Sequence, residues 1–316
     1  MIHTGEGTSK WDTTGVPLPL FTSIERGDLL LAKISFDAIE NIENALTQWY
    51  SSLQTLVDMV LTDPTGVGRF GPLIQNTINL VTKPVGDAMI VLCFFLGMFG
   101  AGATMAETKR PEAAVRLFIR TAVTGVFVSR GYTFVSQILG ISQSFIGDFI
   151  AVRGSISAGD APKIPPEIKT AIQELNFPAN LGVTIIGLLG ALAITVCGFV
   201  VLLTVYGRWF KIYMYMIVSP IPLATFAGKN TQQVGIQFLR NYAAATLEGV
   251  IMVIAIWAYR QFESYTGWQV IPTSYDPSMA PSTMVWNYLQ VTIFNILILI
   301  TIIKSSSQLA KEMFGV

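Results

Sequence analysis

KIYMYMIVSPIPLATFAGKN, residues 211–230, decides how the second half of this chain is threaded. It is strongly apolar, has a lysine near either end, and carries Pro220 and Pro222 in its middle. Proline lacks a backbone N–H and its ring collides with the preceding turn, so regular helix is expected to end near Ser219. Residues 212–219 alone are too short for a hydrocarbon core that takes ~20 residues to cross. A re-entrant or interfacial element is therefore expected over 212–228, with a kinked ordinary span as the alternative. Backbone groups freed by such a break are tolerated at membrane depth only where protein or water covers them.

The surrounding composition sets the solvent. Charged residues make up 13 % of the 316, against ~25 % in soluble domains. With a mean hydropathy of +0.55, much of the chain cannot face water, and an integral membrane protein is expected. Residues 88–106, 175–207, 212–228 and 277–303 contain no Asp, Glu, Lys or Arg. All but the third are long enough to span. Residues 113–152 hold Arg116, Arg120, Arg130 and Asp148, too many residues for one straight crossing. They read as a basic entry turn and surface helix over 113–129, a break at Gly131, and a crossing over about 131–152. A fifth crossing lies in 231–260, which holds Arg240 and Glu248. The expected fold is all-α and polytopic: about five transmembrane helices, a re-entrant or kinked helix, and an N-terminal amphipathic helical region.

Basic residues orient this arrangement. Lys109, Arg110, Arg116, Arg208, Lys211, Lys229, Lys304 and Lys311 fall on one side, against Arg153, Lys163, Lys169 and Arg260 opposite. The richer side is expected to be cytoplasmic. Residues 1–86 then form an extracytoplasmic region, residues 87–316 the membrane domain, and the C-terminus is cytoplasmic. The opening MIHTGEGTSKWDTTGVPLPLFTSIERGD lacks the basic start and apolar core of a cleavable signal, so an internal segment is expected to begin insertion.

Within the N-terminal region, Ile39, Ile42, Leu46, Trp49, Leu53, Leu56 and Val60 recur at alternating spacings of 3 and 4. That is a heptad seam on one helix, closed by Thr62-Asp63-Pro64-Thr65-Gly66, and a seam needs a partner. Two are open: the chain's own amphipathic PLIQNTINLVT (72–82), or another subunit.

Motifs for chemistry are sparse. Gly66-Val67-Gly68-Arg69-Phe70-Gly71 fits G-x-G-x-x-G, but no strand precedes it and Pro72 follows, so it reads as a turn. His3 is the single histidine and has no neighbouring ligand for a metal site. No Walker loop is present. Cys93 and Cys197 lie in apolar runs, where a thiol serves as a small hydrophobe, and no disulfide is expected. Neither enzyme activity nor a cofactor is expected.

Polar residues inside the apolar spans remain. Thr133, Ser136, Gln137, Gly140, Gln143, Ser144 and Gly147 share one face of the 131–152 crossing, a stripe that either packs helices closely or lines a wet path. Gly187, Ala191, Thr195 and Gly198 form a small-residue stripe suited to close packing. Glu248 lies about 14 residues, or ~21 Å, into its helix, where an unpaired carboxylate costs a few kcal/mol. Arg120 and Arg130 are its candidate partners, in an ion pair or a proton or ion relay.

RWFKIYMYMIVSPIPLATFAGKNTQQVGIQFLRNYAAATLEGVIMVI, residues 208–254, resembles the TrbL-type polytopic inner-membrane subunits of conjugative and type IV secretion systems. This block is about one seventh of the chain; elsewhere the likeness is one of hydropathy. The resemblance implies a bacterial inner-membrane channel or platform that passes single-stranded DNA with its relaxase, or protein effectors. It also implies secretion ATPases and other envelope subunits as partners, and a homo-oligomer in the lipid bilayer. Two other readings stand beside it. One is a small-solute or ion transporter with its site at the Pro220–Pro222 break, for which a matching break in the other half would be needed and only Thr82-Lys83-Pro84 offers itself. The other is a structural membrane scaffold.

Overall fold

The computed structural model describes residues 38–63, 70–103, 111–153, 163–264 and 279–316. The Gly66–Gly68 turn, His3, Lys109 and Arg110 lie outside them. The elements are α1 (Ala38–Leu61), α2 (Phe70–Thr77), a π-helical turn (Ile78–Thr82), α3 (Lys83–Ala103), α4 (Pro111–Ser129) and α5 (Gly131–Arg153). They continue with α6 (Pro166–Gln173), α7 (Phe177–Val218), α8 (Pro220–Ala224), a 3-10 turn (Thr225–Ala227), α9 (Gln232–Ser264) and α10 (Pro281–Phe314). No strand occurs among the described residues. Five stretches are long and apolar enough to cross a membrane: Gly71–Phe99, Gly131–Arg153, Ala179–Val218, Gln232–Tyr259 and Pro281–Phe314. The protein is a polytopic all-α membrane protein.

The first crossing starts earlier than its charge-free run. α2, the π turn and α3 follow one another without a gap, so the division expected at residue 86 falls inside a helix. Residues 71–82 carry no charge either, and Lys83 and Asp87 interrupt the apolar run without ending it. The widened turn lies just before Pro84, where the Lys83 N–H reaches back to the Ile78 carbonyl. A single added residue per turn makes room for a proline ring.

α4, which is not among the five stretches long and apolar enough to cross, packs against α3: its Phe118 ring meets Phe94 edge-on at 6.1 Å, and Leu117 packs against Gly97. Only Arg130 separates α4 from α5, and the hydrogen-bond ladder continues through it, from Arg130 N–H to the Val126 carbonyl and from Phe134 N–H to the Arg130 carbonyl, both 3.0 Å.

α7 has 42 residues, so it is about 63 Å long, roughly twice a hydrocarbon core of ~30 Å. Residues 212–218, expected in a separate re-entrant element, are instead its last two turns. Arg208 and Lys211 do not end the helix because neighbouring helices take up their charge. α9 runs antiparallel to α7, with Arg208 facing Thr246 and Tyr215 facing Phe238 and Tyr242. α10 runs parallel to α7, as Gly190 meets Leu289 and Lys211 meets Ser307.

The heptad seam of α1 is filled by α7 of the same chain, not by residues 72–82 or a second subunit. Ile42, Leu46, Trp49, Leu53, Leu56 and Val60 are buried, and Ile39 packs at the edge. The two helices run parallel. Gly187 seats Ala38, where a β-carbon would stand 2.9 Å from that of Ala38, and Gly198 seats Ser52. Further along, the Trp209 Nε1–H donates to the Met59 carbonyl at 3.2 Å. The small-residue stripe of α7 is thus the groove that admits α1. Leu53→Asp should therefore impair folding rather than assembly, because an unpaired carboxylate there costs several kcal/mol. The check is monodisperse recovery from detergent: a well-folded monomer that had merely lost its oligomer would contradict the intramolecular seam.

Candidate functional site

Two features of the bundle combine polar chemistry with burial. The first is the helix break. The N–H groups that Pro220 and Pro222 lack would have bonded the Met216 and Val218 carbonyls; Ser219 takes over at the first, and further side chains serve carbonyls freed where α8 ends. Ser219 donates from both its N–H (3.3 Å) and its hydroxyl (2.8 Å) to the Met216 carbonyl. Thr225 Oγ1 donates to the Pro222 carbonyl at 2.7 Å, and Thr231 Oγ1 to the Thr225 carbonyl at 2.8 Å. The Phe226 carbonyl accepts from Arg120 Nε of α4 at 2.6 Å, and Arg120 Nη2 also bonds Gln232 Oε1. Ser219, Pro220 and Pro222 are buried, with Gly86 of α3 against Pro220 and Gly131 of α5 against Leu223. An open pocket lined by Pro222, Gln233, Val234, Gln237 and Phe238 adjoins the second proline.

The second feature is a buried charge cluster between α7, α9 and α10. Glu248 is 5 % exposed, and its Oε2 lies 3.1 Å from Lys211 Nζ, which also reaches Ser307 Oγ at 3.4 Å. Arg208, 1 % exposed, donates from Nη2 to the Thr246 carbonyl at 3.2 Å, while its Nε and Nη1 are buried without a hydrogen-bond acceptor. The guanidinium lies over Gly249: a β-carbon there would stand 2.9 Å from Nε and closer still to Cζ and Nη2. Two cations thus face one carboxylate. Beside them, Tyr215, Phe238 and Tyr242 form a ring cluster, and the Tyr242 hydroxyl donates to the Val135 carbonyl at 2.8 Å.

The expected site residues are therefore redistributed. Glu248 is paired with Lys211 rather than with Arg120 or Arg130. Arg120 serves the break, and Arg130 is exposed at the α4–α5 junction. In α5 the core-facing row is Val135, Leu139, Ser142 and Ile146. Gln137 is exposed, Ser136 bonds the Thr133 carbonyl, and Gln143 donates to the Thr62 carbonyl at the end of α1, 3.5 Å away. Arg208, Lys211 and Ser307 were not anticipated. Two basic residues three apart share a helix face, but after a charge-free run they read as a cytoplasmic boundary. Among the described residues no three His, Cys, Asp or Glu gather as a metal site would require, and Cys93 and Cys197 are free and buried.

No curated protein and no solved structure matches the chain. Residues 54–220 match a protein family described as TrbL/VirB6 plasmid conjugal transfer like protein. The match runs from α1 to Pro220, so it overlaps the 208–254 block only in its first residues and rests chiefly on the helices before it. Covering more than half of the 316 residues, it shows that the chain belongs to the TrbL/VirB6 plasmid conjugal transfer-like family.

Proposed function

We propose that this protein is a channel or platform subunit of a conjugative type IV secretion machine, helping to pass single-stranded DNA with its bound protein, or protein substrates, across the cytoplasmic membrane. Family membership makes it a conjugal-transfer, type IV secretion subunit, and its apolar helices make it a multi-pass membrane protein. The finer reading is carried by the break at Ser219–Ala227. A buried interruption between two spanning helices, held by single side-chain hydrogen bonds and adjoining an open pocket, is suited to shifting when substrate or a partner engages. In this reading the N-terminus lies outside the cytoplasm and the C-terminus within it. Secretion ATPases and other envelope subunits dock around a homo-oligomer of the chain.

The test is Pro220→Ala with Pro222→Ala. Each replacement relieves about 3 kcal/mol of helix penalty. α7 would then extend through Phe226, withdrawing Leu223 from Gly131 and the Phe226 carbonyl from Arg120. Conjugation assays should show transfer lost while the subunit accumulates in the membrane at its normal level. Normal transfer by the double variant would remove the break from the mechanism.

A further inference from the structure

α1 and α7 form a wall two helices thick whose outer sides differ in kind. On α1, Glu40, Asn44, Thr47, Ser51 and Asp58 are exposed, on the side of the helix opposite the seam. On α7, Leu181, Ile185, Leu188, Leu192, Val196 and Leu203 are exposed. At 100° per residue this row points about 150° away from the face, centred on Gly187, Ile194 and Gly198, that α1 covers. Both faces occupy one level: α1 accompanies α7 from Gly187 to Trp209, a rise of ~33 Å and so close to a full hydrocarbon thickness. The apolar row suits lipid. The polar row, with its carboxylates, does not.

We infer that the outward face of α1 lines an aqueous conduit enclosed by further copies of this chain, with the Leu181–Leu203 face of α7 turned to lipid. One further feature agrees. Lys169 of α6 reaches over α1 to Glu43 at 2.6 Å, so the segment between two crossings is folded down onto the polar side. Gln143 ties the end of α1 to α5, where Gln137 and Ser144 are exposed among the exposed apolar Ile141 and Phe145. One chain supplies a single section of wall, and more copies are required to close a lumen. The inference rests on the secretion-subunit reading, of which it names the water-facing surface.

The experiment uses the full chain reconstituted in lipid bilayers, with Cys93 and Cys197 replaced and single spin labels at Thr47, Ser51, Leu188 and Leu192. Labels at 47 and 51 should relax chiefly with a water-soluble nickel chelate, and labels at 188 and 192 chiefly with oxygen. Dipolar distances between like positions of neighbouring copies should be shorter at 51 than at 192, because the lumen side lies nearer the axis. Oxygen-dominated relaxation at 47 and 51, or nickel access at all four sites, would overturn the assignment. So would shorter distances at 192, or no dipolar coupling at either position. Any of these results, obtained with a protein that still supports conjugation, would leave the secretion role standing and remove only the conduit from α1.

Discussion

Gly249→Ala is expected to destabilise the bundle by about 3 kcal/mol, the upper end of what overpacking a core ordinarily costs. The new β-carbon would stand 2.9 Å from Arg208 Nε and nearer to Cζ and Nη2. Side-chain flexibility offers little relief, because Arg208 is 1 % exposed and already lacks acceptors for two nitrogens. Moving the guanidinium breaks its bond to the Thr246 carbonyl as well. Arg208→Met should behave differently. It removes the collision and leaves Glu248 and Lys211 as a balanced pair, and replacing a buried charge by a well-packed apolar side chain is often neutral or better. The double variant Gly249→Ala, Arg208→Met should therefore melt within a few degrees of Arg208→Met alone. Thermal unfolding in detergent, followed by gel filtration, measures all three. Equal losses in Gly249→Ala and the double variant would show that the glycine serves the helix backbone and not the guanidinium.

That cluster also marks where the sequence was legible and where it was not. Each crossing was legible because hydrocarbon imposes length and charge limits on single segments. The end of helix at Ser219 was legible for the same kind of reason, since two missing N–H groups act on their own turn. Pairing between segments is another matter. The seam of α1 announced that it needed a partner, but Gly187 and Gly198, which receive it, lie about 150 residues later, and periodicity does not give register between distant helices. Arg208 and Lys211 were read only for their side of the membrane, which is all the positive-inside rule weighs, and not as groups that meet α9. A helix of about 63 Å carries basic residues well inside a bundle without a loop nearby. Glu248 was recognised as needing a partner, and its pairing with Lys211 became visible only once α7 and α9 were set antiparallel.

Charge balance gives the second large effect. Glu248 is ion-paired with Lys211 and acts on Arg208 through charge without touching it, so the three residues are not equivalent. Lys211→Met leaves Glu248 to Arg208, with which it also interacts through charge, and whose Nε and Nη1 donors have no acceptor of their own. The expected loss is about 1 kcal/mol, in keeping with the partial exposure of the lysine. Glu248→Gln leaves Lys211 and the fully buried Arg208 without its charge and should cost about 3–5 kcal/mol. Glu248→Asp keeps the charge and should recover part of that loss. The ranking is read from melting temperatures of the purified variants, with conjugation frequency measured in parallel. The reverse order, with Lys211→Met the more damaging, would mean that Arg208 is neutralised elsewhere and that Glu248 exists for the lysine alone. Should Glu248→Gln retain full stability but lose transfer, the carboxylate would belong to the moving machinery instead. Its burial favours the structural outcome, because its Oε2 ties α9 to Lys211 of α7, whose Nζ in turn reaches Ser307 of α10.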